Sequence, residues 1–254
     1  MPESKNAHLV ELARALGDAS LNFVVLAEGN VSQRSSDSTL LVKASGRRMA
    51  SADETDIVEV NETPLLELLD DPSADDGAVF TALSGSRIDP TAPMPSVETL
   101  LHVVCQQLAG VRFVAHTHPV EVNAVLCSVR PTALVDGALF PDQVVVLGRH
   151  QLLVPYADPG LALARLARQA LDEHVLAHSS YPKAVYLQNH GLFALGESAQ
   201  EVINITVMAQ KVAQITLGAL ALGGPAFLTH DQAMRIDSRP DEVTRRAELV
   251  RTPK

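Results

Sequence analysis

The sequence predicts an α/β fold in which a mixed or mainly antiparallel sheet is covered by helices. Three observations carry this expectation. Helical and extended stretches alternate irregularly, which does not suit a regular parallel sheet. Several extended runs are joined by hairpins, with Ser35-Ser36-Asp37-Ser38 the clearest turn. No repeat, low-complexity segment or Pro/Gly/Ser linker divides the 254 residues, and 46% apolar residues with only 4% aromatic ones imply a core made mainly of Leu, Val and Ala.

The elements follow in chain order. Leu9, Leu12, Ala13 and Leu16 fall at helical spacing and Gly17 stops the helix. Residues 22–34, 39–46 and 56–61 are β-rich runs separated by turn residues, and the acidic stretch 69–77 is a surface connection. A helix is expected over 96–109, with Ser96 as N-cap, apolar residues at 97, 100, 101, 104 and 108, and Gly110 as the stop. It leads into a strand at 111–115 that ends in two histidines. Residues 120–128 are expected to be helical, 143–148 and 152–156 to be strands, and 159–177 to be a helix opening with proline. Two short strands over 183–196 are interrupted at Asn189-His190-Gly191, and a long helix spans 198–222.

Charge and composition exclude some classes of function. With 20 Lys and Arg against 30 Asp and Glu the formal charge is −10, and the only dense basic step is Arg47-Arg48, so a nucleic-acid partner is not expected. An anionic small molecule is not excluded, because a few local donors can hold a phosphate or carboxylate. The apolar stretch 215–228 has only 14 residues and contains two adjacent glycines and a proline, so it reads as a buried helix end followed by a turn, not as a membrane span. Cys105 and Cys127 form no CxxC pattern and read as small buried hydrophobes in a reducing compartment. The N-terminus lacks the apolar core of a signal peptide, and a cytoplasmic protein is expected.

Residues that can carry chemistry stand out in four places. On a strand, His116 and His118 point to one face about 7 Å apart, which is chelating geometry for a transition ion, although an isolated HxH is equally a strand end. His190, followed by a glycine that permits a tight bend, completes a three-histidine set that leaves coordination positions open. Glu98 lies in the first turn of the 96–109 helix; a carboxylate there is explained by the helix dipole, or it is a general acid/base beside a metal. His102, four residues on, either orients Glu98 or simply packs. The stretches 28–34 and 43–49 flank a hairpin and offer backbone N–H groups, the Asn30 amide and the Ser32 and Ser45 hydroxyls to an anion.

Read in order, Gly-Asn-Val-Ser-Gln-Arg (29–34), Lys-Ala-Ser-Gly (43–46), Met94-Pro-Ser-Val-Glu-Thr-Leu-Leu-His102, His-Thr-His-Pro (116–119) and Asn-His-Gly (189–191) resemble the class II aldolase/adducin family over about residues 8–222. Pro-Ser-Val-Glu-Thr-Leu-Leu-His, His-Thr-His-Pro and Val-Pro-Tyr-Ala-Asp-Pro-Gly (154–160) look especially close to the aldolase half of bacterial proteins that fuse a rhamnulose-phosphate aldolase-like domain to a short-chain dehydrogenase, whose dehydrogenase half is not among these residues. The resemblance implies one three-layer α/β/α domain with a predominantly antiparallel sheet, a tail at about 229–254, and a homotetramer with sites at subunit interfaces. It implies zinc, or another divalent transition metal such as manganese or cobalt, on His116, His118 and His190, with Glu98 as acid/base. Gly29, Asn30, Ser45, Gly46 and Ser96 would hold the substrate's phosphate or oxygens.

The implied activity is retro-aldol cleavage of a ketose or ketose phosphate through a metal-stabilised enediolate. Decarboxylation of a hydroxy or oxo acid by the same site is the alternative, and a non-catalytic adducin-like binding module is a third reading. Two departures bear on the substrate. The family's phosphate turn often reads Ser-Ser-Glu or Ser-Thr-Glu, and here it is Ser96-Val97-Glu98. The family's aldolases also use a tyrosine from a neighbouring subunit or tail, whereas the only tyrosines here are Tyr156, Tyr181 and Tyr186.

Overall fold

The computed structural model describes residues 5–250. Its elements run α1 (Ala7–Leu16), β1 (Asn30–Arg34), β2 (Thr39–Lys43), β3 (Ile57–Asn61), α2 (Thr63–Asp70), α3 (Asp76–Ser86), α4 (Thr99–Gln106), β4 (Phe113–Thr117), α5 (Val120–Leu126), α6 (Pro141–Leu147), β5 (Leu152–Val154), α7 (Leu161–His178), β6 (Ala184–Leu187), β7 (Gly191–Gly196), α8 (Ala199–Ala221), α9 (His230–Ser238) and α10 (Pro240–Leu249). The seven strands form one sheet in the order β3-β2-β1-β4-β7-β6-β5. Every pairing is antiparallel except β5 with β6. The mainly antiparallel α/β fold expected from the sequence is therefore the one observed.

Alternation along the strands builds two cores, one on each face. Ala115, Leu192, Ala194 and Tyr186 pack with α1, α5 and α8 on one side. Val114, Phe193, Leu195 and Val185 pack with α2, α3, α4 and α7 on the other. Both faces being covered, all five residues of β4 are buried, which is why its sequence reads as a continuous apolar run up to His116. On the α4 side the even-numbered residues of β1 and β4 turn inward, and there the core becomes polar: Asn30, Ser32 and His116 are all buried.

Several sequence expectations need correction. Residues 143–147 of the run expected as a strand belong to α6, with Gly148 as its C-cap, because three successive valines satisfy either period while Pro141 at the helix start and Asp142 in the first turn are helix-opening signals. The helix expected over 96–109 is shorter; Ser96 to Glu98 form a turn in which the Ser96 hydroxyl accepts from the Glu98 N–H at 3.3 Å, and Glu98 is itself the N-cap residue. The acidic connection at 69–77 overlaps the end of α2 and the start of α3, helices the sequence reading did not include. Only 30–34 of the 22–34 run is strand, and the loop before it has Asn22 and Leu26 at positive φ.

Near the C-terminus α8 does end in a two-glycine turn, yet Leu222 is 89% exposed, so that end is not buried. No described helix is long and apolar enough to cross a membrane. Within the expected tail, residues 230–249 form two helices, and Arg246 secures the second by donating to the Val145 carbonyl at 3.0 Å. Cys105 is buried as expected, whereas Cys127 is exposed at the end of α5.

Candidate metal centre

The sheet register brings the candidate residues together. Asn30 of β1 pairs with His116 of β4, which pairs on its other side with Phe193 of β7. The His116 ring is fully buried and stacks on Phe193 with centroids 4.3 Å apart, while its Nδ1–H donates to the Leu192 carbonyl at 3.1 Å. That bond orients the ring and turns Nε2 inward, 2.9 Å from His118 Nε2 and 3.1 Å from Glu98 Oε1. His118 follows the strand end, its Nδ1 3.5 Å from the Glu28 carboxylate. His190 sits between β6 and β7, after Asn189 at φ 56°, with its Nε2 donating to Glu98 Oε1 at 2.9 Å. Gly191 next to it leaves no room for a side chain: a Cβ would lie 2.6 Å from His118 Cδ2 and 2.7 Å from the Thr117 carbonyl.

Glu98, His116, His118 and His190 each offer a ligand atom, and these atoms all lie within 4.8 Å of one another. The donor set fits a divalent transition ion. Three imidazoles and a carboxylate are its usual ligands, two imidazole nitrogens approach to 2.9 Å, and His190 Nδ1 is buried with no hydrogen-bond partner. Burial, with His116 and His190 nearby, pushes the His118 pKa down to about 3, so its neutral ligating form prevails at ordinary pH. Burial pushes the Glu98 carboxyl up, but His116 and His190 outweigh it and hold the group well below the usual carboxylate range.

A seam of buried polar groups runs behind Glu98 between α4 and β1. Glu98 Oε2 accepts from the Asn30 amide at 2.6 Å, Asn30 Oδ1 accepts from His102 Nε2–H, and His102 Nδ1 accepts from the Ser32 hydroxyl at 2.8 Å. Gln106, one turn beyond His102, donates to Ser32 Oγ at 3.2 Å. His102 is 1% exposed, and burial drives its pKa down to about 3. Ser32 is thus not free to meet an anion, and both ends of the Asn30 amide are already engaged within the protein. His102 does not touch Glu98 directly, as its four-residue spacing suggested, but reaches it through Asn30.

A pocket of about 110 Å³ opens in front of the cluster, lined by Gly29, Asn30, Ser45, Gly46, Ser96, Glu98 and His118; His116 and His190 do not line it but join it through the ligand cluster with Glu98 and His118. Gly29 and Gly46 have φ of 71° and 70°. Lys43 also lines the pocket; its buried ammonium donates to the Ala44 and Arg47 carbonyls at 3.0 and 2.7 Å and so holds the Ser45–Gly46 turn in place. Val97 faces away into an apolar groove of about 490 Å³ that shares Ser45 with the pocket. A larger cavity, about 690 Å³, lies elsewhere, between α7 and the C-terminal helices, and touches none of these residues.

The cluster can be set beside known proteins. Uncharacterized oxidoreductase YuxG of Bacillus subtilis (strain 168) is 24% identical over 166 residues, 65% of this chain but only 22% of that much longer protein. An L-fuculose 1-phosphate aldolase superposes with a TM-score of 0.71 at 18% identity, covering 94% of this chain and 96% of that one. YgbL of Escherichia coli, a candidate aldolase/epimerase/decarboxylase, superposes with a TM-score of 0.69 at 20% identity, covering 93% of this chain and 100% of its own. These likenesses show the fold. Residues 7–217 match the family described as Class II Aldolase and Adducin N-terminal domain, and the chain belongs to that family.

Proposed function

We propose that the chain is a divalent-metal-dependent lyase that cleaves a C–C bond of a ketose or ketose phosphate by retro-aldol chemistry. His116, His118 and His190 are its metal ligands and Glu98 its acid/base. The observation that carries this reading is the convergence of four ligand atoms within 4.8 Å at the back of a small polar pocket. Family membership supports the broader activity type, metal-dependent chemistry of the aldolase, epimerase or decarboxylase kind. A bound ion, zinc or a relative such as manganese or cobalt, supplies Lewis acidity toward the hydroxy-carbonyl oxygens of a substrate. The chain's own residues do the rest. Glu98 moves the proton through Oε1, the oxygen turned toward the histidines, while Ser45, Ser96 and the second Asn30 N–H orient the substrate's oxygens. The Gly29 and Gly46 turns present backbone N–H groups to its anionic end.

Decarboxylation of a hydroxy or oxo acid is the second reading, and one observation favours it. Among the described residues no tyrosine lines the pocket. Tyr186 is fully buried, Tyr181 lines the distant cavity, and the exposed Tyr156 hydroxyl donates to Asp158 at 2.9 Å. Loss of CO₂ needs no acid to protonate a departing alkoxide. A binding-module role has less support, since all four ligating groups are retained. A homotetramer is part of the proposal; Leu26, beside the pocket-lining Ala27, and Phe80, which lines the neighbouring apolar groove, are 76% and 67% exposed and are apolar surface that another copy would cover. Sedimentation of the protein tests that.

The deciding experiment is a product screen of the metal-loaded protein against phosphorylated and unphosphorylated ketoses and hydroxy or oxo acids. Aldehyde release supports the lyase as stated, CO₂ release the second reading. Protein that stays metal-free after reconstitution would sink both.

A further inference from the structure

We propose that His102 is a positioning residue for Glu98, acting through Asn30 to fix which face of the carboxylate meets the histidines and which stays tied to the sheet. The inference rests on the reading of Glu98 as acid/base for its catalytic consequence, but its structural part stands without it.

Asn30 Oδ1 only accepts, so the contact from His102 Nε2 requires the proton on that nitrogen. The Ser32 hydroxyl donates to Nδ1 at 2.8 Å and secures the same tautomer from the other side, and Gln106, donating to Ser32 Oγ at 3.2 Å, leaves that hydroxyl's own hydrogen for the ring. With its oxygen held by His102, the Asn30 carboxamide cannot flip, and its NH₂ must point at Glu98 Oε2, where the separation is 2.6 Å. Glu98 Oε1 is thereby left to face His116 and His190, at 3.1 and 2.9 Å. The relay is dry: Ser32 is 0%, His102 1%, Gln106 3% and Asn30 4% exposed. Such a chain has one satisfied arrangement, and breaking it leaves buried polar atoms unpaired. Apolar packing holds the ring in place, with Phe193 5.2 Å from it between His102 and His116.

If His102 only filled space, a phenyl ring would replace it. His102→Phe keeps the volume and removes both nitrogens, whereas His102→Gln keeps an N–H that can reach Asn30 Oδ1. The test compares the two by NMR of protein carrying ¹⁵N-labelled asparagine and histidine, loaded with zinc alone. In the unmodified protein the Asn30 carboxamide should give two resolved N–H signals, the one bonded to Glu98 protected from exchange, and His102 should appear as the neutral Nε2–H tautomer. His102→Phe should collapse the protection of the Asn30 signals; His102→Gln should restore it. With any substrate found by the product screen, His102→Phe should lower kcat by about 10–100-fold with KM changed less than about twofold, and His102→Gln should recover most of the loss. A His102→Phe protein with melting temperature near that of the parent and unaltered Asn30 signals overturns the proposal. So does a His102→Gln protein no better than His102→Phe on both measures. Because the Asn30 signals need no turnover, failure of the lyase reading is distinguishable from failure of the relay.

Discussion

The chain contains two groups of three histidines, and only one of them is built to share an ion. His116, His118 and His190 converge with Glu98 at the end of the sheet. His150, His174 and His178 meet beside the 690 Å³ cavity, with His150 stacked flat on His178 at 4.0 Å and 10°, and His174 edge-on to His178 at 4.6 Å. In the first group a backbone carbonyl orients the His116 ring and a carboxylate meets two of the rings. In the second, flat stacking aims two rings side by side rather than at one point, and the Asp237 carboxylate that reaches the cavity is engaged by Arg149 at 3.1 Å and Arg246 at 2.7 Å. The difference teaches that histidine count and spacing do not make a metal site. Convergent ring nitrogens, a carboxylate that no arginine holds and partners that orient the rings do.

The largest expected effect tests that contrast. His116→Ala or His190→Ala should remove the bound divalent ion, from about one per chain to almost none by elemental analysis, and abolish activity. His174→Ala or His178→Ala should leave the ion in place. Metal lost from the second pair and kept in the first would reverse the comparison. Next, Glu98→Gln should keep the ion yet reduce turnover by about 10²–10⁴-fold, the range for removing a general acid/base. Activity within tenfold of the parent would take Glu98 out of the chemistry.

The glycines beside the two groups sharpen the comparison at smaller scale. Gly191→Ala puts a methyl 2.6 Å from His118 Cδ2 and against the Thr117 backbone, so metal affinity should fall by about tenfold in a competition titration. Gly148, near His150, has open space around it but φ 77° and ψ −177°, a region that only glycine adopts readily. Gly148→Ala should therefore cost about 1–3 kcal/mol of stability, seen as a lower melting temperature, with metal affinity unchanged.

How much of this was legible in the sequence follows from which contacts are local. The i, i+2 spacing put His116 and His118 on one face, and the Asn189-His190-Gly191 interruption marked the turn that delivers His190, because strand alternation and glycine turns are local rules. Spacing alone was ambiguous, since His174 and His178 lie one helical turn apart and share a face as readily. The relay was not legible. Glu98 and His102 share a helical spacing that suggests direct contact, but Asn30 is inserted between them from a strand 68 residues away from Glu98, and only the pairing of β1 with β4 places it there. The Gln143-to-Gly148 misreading has the opposite cause: a valine run carries no period, so the local signal was too weak for its helix-opening proline to be weighed.

The smallest effect is acid sensitivity, and it arises from the second group. Burial, together with His178 and His150, lowers the His174 pKa from 6.5 to about 4. The unfolded chain takes up a proton at His174 as pH falls through about 6.5, and the folded protein does not until about 4. Stability from this residue is therefore complete above pH 6.5 and declines across that window, by no more than about 1.4 kcal/mol per pH unit for one proton. In chelator-treated protein, which removes any contribution from metal binding, His174→Gln should melt over pH 6.5 to 4 with a visibly shallower loss of Tm than the parent. In metal-loaded protein the same substitution should leave the metal content unchanged at pH 7. Equal slopes would mean that His174 is not held neutral by burial. A slope carried entirely by the metal-loaded form would mean that acid acts on the first group alone, and the contrast between the two would then rest on metal binding rather than on a structural role for His174.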